Sequence, residues 1–109
     1  MCRTTVNMFS SKYFNMGKVV FTATLHNAMS ENSRFAKDVI MAINRYSNKD
    51  WGELTEDDQQ VNEDALQYPD DLYLLGAYKT CKGKIYIITN RISEKAGINA
   101  TTICFPDER

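Results

Sequence analysis

The stretch Leu72-Tyr73-Leu74-Leu75-Gly76-Ala77-Tyr78-Lys79-Thr80-Cys81-Lys82-Gly83-Lys84-Ile85-Tyr86-Ile87-Ile88-Thr89 decides the fold. Two runs rich in β-branched and aromatic residues flank Cys81-Lys82-Gly83, a turn signal. The pattern predicts strands over 72–80 and 84–89, joined as a hairpin. In the second run Ile85 and Ile87 point one way, Tyr86 and Ile88 the other. Both faces are apolar, so this strand is expected at the centre of a sheet, covered on both sides. The second apolar face also points to extra burial at a subunit interface, and hence to a homodimer.

Working outward, residues 91–99 continue a loop that begins at Asn90, with one helical turn ending at Gly97. A last strand is expected over 101–105, ended by Pro106. Upstream, Val19, Phe21, Ala23 and Leu25 alternate with Val20, Thr22 and Thr24, which predicts a strand over 18–25. His26-Asn27-Ala28-Met29 reads as a short helical turn. Phe35, Val39, Ile40, Ile43 and Tyr46 recur on one face of a 3.6-residue period, giving a helix over 33–47 capped by Asn32 or Ser33.

Asp50-Trp51-Gly52-Glu53-Leu54 interrupts that pattern. Thr55 then opens a second helix, capped through Asp58, with Glu56, Asp57 and Asp58 in the first turn, where the helix dipole favours negative charge. Val61, Ala65 and Leu66 form its narrow apolar stripe, and Pro69 stops it by residue 68. Residues 1–16 show no clear period and are expected to be a partly ordered extension of a single domain over 17–109. The order β-α-α-β-β-β predicts an α+β fold, an antiparallel C-terminal meander with two helices packed on one face.

The chain has 109 residues, and its apolar fraction of 43% suffices for one modest core. No apolar run is long enough to span a bilayer, and the start, Met1-Cys2-Arg3-Thr4-Thr5, does not read as a signal peptide, so a cytoplasmic protein is expected. Cys2, Cys81 and Cys104 are odd in number and not spaced like a metal clip, which argues against a disulfide framework or a zinc site. Cys104 between Ile103 and Phe105 reads as a small buried hydrophobe. Cys81 sits in a turn, with little to hold His26, the one histidine, beside it as a base. The acids do not match a calcium loop, and the five glycines make no phosphate loop. The expectation is a protein that is not an enzyme and carries no metal or cofactor.

Charge is the distinctive feature. Residues 1–49 carry seven basic and two acidic side chains, residues 50–78 nine acidic and no basic ones, and residues 79–109 six basic and three acidic ones. The acids of the middle segment are Asp50, Glu53, Glu56, Asp57, Asp58, Glu63, Asp64, Asp70 and Asp71. Capping and the helix dipole account for three of them. The absence of any cation over 29 residues goes further than capping requires. A dense acidic surface can imitate the phosphate track of a nucleic acid and occupy a basic groove. The weaker alternative is direct nucleic-acid binding through the basic flanks: Lys12, Lys18, Arg34, Lys37, Arg45 and Lys49 on one side, Lys79, Lys82, Lys84, Arg91 and Lys95 on the other. Tyr73, Tyr78 and Tyr86 are then available to stack on bases.

A resemblance adds to these readings. Gly17-Lys18-Val19-Val20 with Thr22 and Thr24, Asp50-Trp51-Gly52-Glu53-Leu54, and Asp58, Asn62, Ala65 and Leu66 carry its first half. Leu75, Ala77-Tyr78, the run 85–89, Thr101-Thr102 and Phe105-Pro106-Asp107-Glu108 carry the second. On these residues the chain resembles a family of short plasmid-related proteins of Firmicutes phages and mobile elements, some labelled type I restriction subunit M. That label does not fit a chain with two separated prolines and no glycine-rich loop. The resemblance implies a mobile-element protein, and specifically an anti-CRISPR-like inhibitor. Its partner would be a host defence protein or CRISPR effector complex, met through the acidic segment.

Overall fold

In the computed structural model the protein is an α+β domain, described over residues 3–6, 11, 13, 16–67, 73–90 and 100–108. In chain order the elements are β1 (Arg3–Val6), β2 (Lys18–Thr22), α1 (Ala23–Glu31), α2 (Ser33–Ser47), α3 (Glu56–Gln67), β3 (Leu74–Thr80), β4 (Gly83–Asn90) and β5 (Ala100–Cys104), then a 3-10 turn at Pro106–Glu108. The strands form one mixed sheet in the order β1-β2-β5-β4-β3. The expected C-terminal meander is present: β3 pairs antiparallel with β4, and β4 with β5. β4 therefore lies inside the sheet between β3 and β5, and β5 also pairs parallel with β2.

Several elements differ from expectation. Residues 3–6, read as part of an extension, pair antiparallel with β2 as an edge strand. The strand expected over 18–25 ends at Thr22, and the turn expected at 26–29 is a nine-residue helix. The reason is local. The Thr22 hydroxyl accepts from the Leu25 amide, so the residue that continues the β alternation also caps a helix. Three helices, not two, therefore contribute to the covered face. The last strand runs one residue earlier than expected, and residues 91–99 lie outside the described residues.

α2 has the predicted bounds, and its cap is Asn32, whose Oδ1 accepts from the Phe35 amide at 3.1 Å. Its buried face is Phe35, Val39, Ala42, Ile43 and Tyr46. Ile40, counted on that face from sequence, is 43% exposed. It lies about 100° from Val39 around the axis, and the smaller Ala42 completes the stripe.

The core fills the space between the helices and one sheet face. Val19 and Phe21 of β2, Ile103 of β5, Ile85 and Ile87 of β4, and Leu74 and Tyr78 of β3 meet Leu25, the α2 stripe, Trp51 and Ala65 of α3. Phe35 stacks on Phe105 with ring centroids 5.8 Å apart. A polar chain crosses this core: Tyr46 Oη to Thr89 Oγ1 at 2.6 Å, Thr89 to Thr101 Oγ1 at 2.7 Å, and Thr101 Oγ1 to the Met16 carbonyl at 2.7 Å. Its proton order follows from the far end. A carbonyl only accepts, so Thr101 spends its single proton on Met16; Thr89 must then donate to Thr101, and Tyr46 to Thr89.

Candidate functional site: the acidic helix and its clamp

The Asp50-Trp51-Gly52-Glu53 segment fastens the layer beneath α3. Trp51 is buried edge-on against Tyr46, with centroids 5.5 Å apart. Its carbonyl accepts from the Ala77 amide at 3.1 Å, and the Glu53 amide donates to the Ala77 carbonyl at 2.7 Å. Gly52 bridges to Ala77 at φ +76°, and a Cβ there would collide with the Ala77 carbonyl oxygen. Only glycine tolerates both conditions. The Tyr78 hydroxyl donates to the Asp50 carbonyl at 2.6 Å, and burial pushes its phenol well above the usual value, so it stays a neutral donor.

α3 lies along the same edge of β3. Thr55 caps it, accepting from the Asp58 amide at 3.2 Å as expected. The reciprocal bond from the Asp58 carboxylate is not formed among the described residues. The expected apolar stripe is corrected. Val61 is 48% exposed, while Asn62 is buried with Ala65, and Leu66 is half-buried. Asn62 Nδ2 donates to the Leu75 carbonyl at 2.6 Å, and its Oδ1 accepts from the Leu75 amide at 3.0 Å. The amide side chain thus replaces one peptide unit of a neighbouring strand. Together, Asn62 and the clamp satisfy the outward backbone groups of residues 75 and 77, which would otherwise offer an open edge.

The predicted acids do not act as one set. Asp50 is neutralised: Arg45 Nε and Nη2 donate to its two oxygens at 2.8 and 3.2 Å, and the Gly52 amide adds a bond at 3.1 Å. The Arg45 hydrogen bond holds the Asp50 carboxyl below its ordinary range, against a smaller opposing effect of burial. Asp50 raises Arg45 in return. Glu63 is also paired, with Lys49 Nζ at 3.6 Å and Trp51 Nε1 at 3.4 Å. These two are ion-paired within the chain, because the last turn of α2 and the turn that follows it bring Arg45 and Lys49 against them. Asp70 and Asp71 lie outside the described residues.

Glu53, Glu56, Asp57, Asp58 and Asp64 remain exposed and make no ion pair with a described residue. Asp64 Oδ1 accepts from the Gln60 side-chain amide at 3.1 Å. On a helix of about 18 Å, Glu56, Asp57, Gln60 and Asp64 fall within about 100° of one another. The result is a solvent-facing acidic strip with Val61 beside it.

Of the cations on described residues that are not in the clamp, Arg34 and Lys37 are exposed on α2, Lys18 opens β2, and Lys79, Lys82 and Lys84 cluster at the β3–β4 hairpin; Lys12, Arg91 and Lys95 lie outside the described residues. His26 is on α1, Cys81 is exposed in the hairpin turn and Cys104 is buried in β5. Among the described residues no group of three or more His, Cys, Asp or Glu side chains is placed to hold a metal ion, and no helix is long and apolar enough to cross a membrane. No protein-family model matches the chain, and no curated protein or solved structure is significantly similar to it.

Proposed function

We propose that the protein is a non-enzymatic inhibitor of host defence, of anti-CRISPR type, that docks the acidic face of α3 into a basic, nucleic-acid-binding cleft of an effector complex. The observation that carries this reading is the exposed strip Glu56, Asp57 and Asp64, which makes no ion pair with a described residue; Glu53 and Asp58 are exposed close by, at the start of the helix. Carboxylates spaced along one helix face oppose a cationic groove as a phosphate backbone does. The defence role itself draws on the resemblance to mobile-element proteins. Asp50 and Glu63 leave the contact set, because their partners lie within the chain.

The test is a plasmid-interference assay in cells carrying a CRISPR effector, with the wild-type chain and an Asp57→Lys, Asp58→Lys, Asp64→Lys variant. The wild type protects an incoming plasmid and the variant does not, while both melt cooperatively. Complex formation with the purified effector weakens as salt rises, because exposed charge pairs are screened over about 8 Å at physiological ionic strength.

A further inference from the structure

The outer edge of β3 is largely closed by the chain itself. β3 is the last strand of the sheet, so every second residue turns its amide and carbonyl away from β4. Residues 75 and 77 set the phase. Asn62 takes both groups of Leu75, and Trp51 and Glu53 take those of Ala77. By the same alternation Lys79 turns its amide and carbonyl outward, and it stands opposite Lys84 as a pair without ladder bonds. Just past the strand, the Cys81 amide donates to Asp38 Oδ2 at 2.9 Å. Among the described residues nothing takes the outward amide and carbonyl of Lys79.

This gap in the edge opens on a cavity. Asp38, Met41, Ala42, Arg45, Tyr78 and Lys79 line a space of about 90 Å³ between α2 and β3. At about 30 Å³ per water it has room for one amide-sized group. From the bonds at 77 to the bond at 81 the edge spans about 13 Å, at about 3.3 Å per residue, so only a short segment fits.

Alternation also fixes the chemistry of that segment. Leu74 and Tyr78 point into the core, so the Lys79 side chain lies on the opposite face, beside Lys84. Both lysines are exposed, and neither makes an ion pair with a described residue. Like charges directly opposite one another destabilise a strand pair. A residue bonded to Lys79 from outside, in either strand direction, places its side chain on that same face. A carboxylate there relieves the repulsion. Its two neighbours turn toward the helices, over Met41, which is 63% exposed, and the stem of Arg45, whose charge Asp50 already meets. Asp38, the carboxylate in the lining, is half-buried and held by the Cys81 amide. A second copy of the chain is a poor occupant, because its own outer strand β1, Arg3-Thr4-Thr5-Val6, brings a cation and no carboxylate.

We propose that the backbone of Lys79 is the docking point for a short extended segment of a partner protein, in which an acidic residue stands between two apolar ones. The site is apart from the acidic strip of α3 and does not rest on the role given to that strip.

Titration of the isotope-labelled chain with a terminally blocked Leu-Glu-Leu peptide, followed by amide-resolved NMR, tests it. The Lys79 amide shifts saturably, with a Kd of about 1 mM for so short a peptide. Leu-Gln-Leu binds about two- to fivefold more weakly. Lys79→Gln with Lys84→Gln abolishes that preference and melts no lower than the parent, because it removes the like-charge pair. Methylation of the peptide's central nitrogen or of the next one abolishes binding, and which of the two does so gives the strand direction. The Asp57→Lys, Asp58→Lys, Asp64→Lys variant binds the peptide as the parent does, whatever its effect on inhibition. No saturable shift at Lys79 up to about 10 mM peptide, equal binding of the Gln peptide, or binding that survives both methylations overturns the proposal. So does a Lys79 shift that grows with protein concentration alone, which would assign the edge to a second copy.

Discussion

α2 and α3 are helices of similar length that are held in different ways. α2 buries five side chains, from Phe35 to Tyr46, and its place is fixed by apolar contact. Among its described side chains α3 buries two, Asn62 and Ala65, and it is fixed largely by polar contact with a strand edge, through Asn62 on Leu75 and the cap at Thr55. A helix seated on so few side chains leaves most of its positions free of packing demands. The difference therefore separates scaffold from surface: substitutions in α2 change stability, and substitutions on the outer face of α3 change what the protein touches.

The largest expected effect is at the apolar seat. Phe35→Ala removes a fully buried ring stacked on Phe105 and lowers stability by about 3–5 kcal/mol, read from urea denaturation. Gly52→Ala sharpens the comparison from the clamp between the helices. The left-handed backbone and the collision with the Ala77 carbonyl cost about 1–3 kcal/mol, and the Trp51 signal should report local loosening. At the polar seat, Asn62→Ala strands the amide and carbonyl of Leu75 and costs about 1–3 kcal/mol. Hydrogen exchange at Leu75 should accelerate while the α2 amides stay protected. Equal loosening of both helices would break the distinction drawn here.

The smallest effect concerns Arg45 and Asp50. The folded-state Asp50 carboxyl is held below its unfolded value, so its contribution is present above about pH 3.9 and is lost as the pH falls through the folded value. Arg45→Gln should lower stability by under about 1 kcal/mol at pH 6, since the pair is half exposed, and by less under more acid conditions. A melting series against pH checks the sign.

Much of the scaffold can be read from residue order. The hairpin, both ends of α2 and the capped start of α3 follow from periodicity, Gly83, Asn32 and Thr55. The end of β2 does not, because Thr22 and Thr24 suit a strand as well as a helix start, and only the Thr22 hydroxyl settles it. The role of Asn62 is hidden for a different reason: its partners lie 13 residues away on β3, and an asparagine amid acids looks like surface. Ile40 and Val61 show the reverse, apolar residues at plausible spacing that face solvent. The charge run was visible as a run, but chain order does not show which acids meet Arg45 and Lys49 in the fold.

The direct test of the acidic-face account is inhibition by the Asp57→Lys, Asp58→Lys, Asp64→Lys variant, assayed against a purified effector that the wild-type chain binds and inhibits. The account predicts a protein that still melts cooperatively, at a cost of about 1–2 kcal/mol because Asp57 and Asp58 lie in the first turn of α3 where the helix dipole favours negative charge, and that neither binds nor inhibits. A folded variant that inhibits as well as the parent contradicts it.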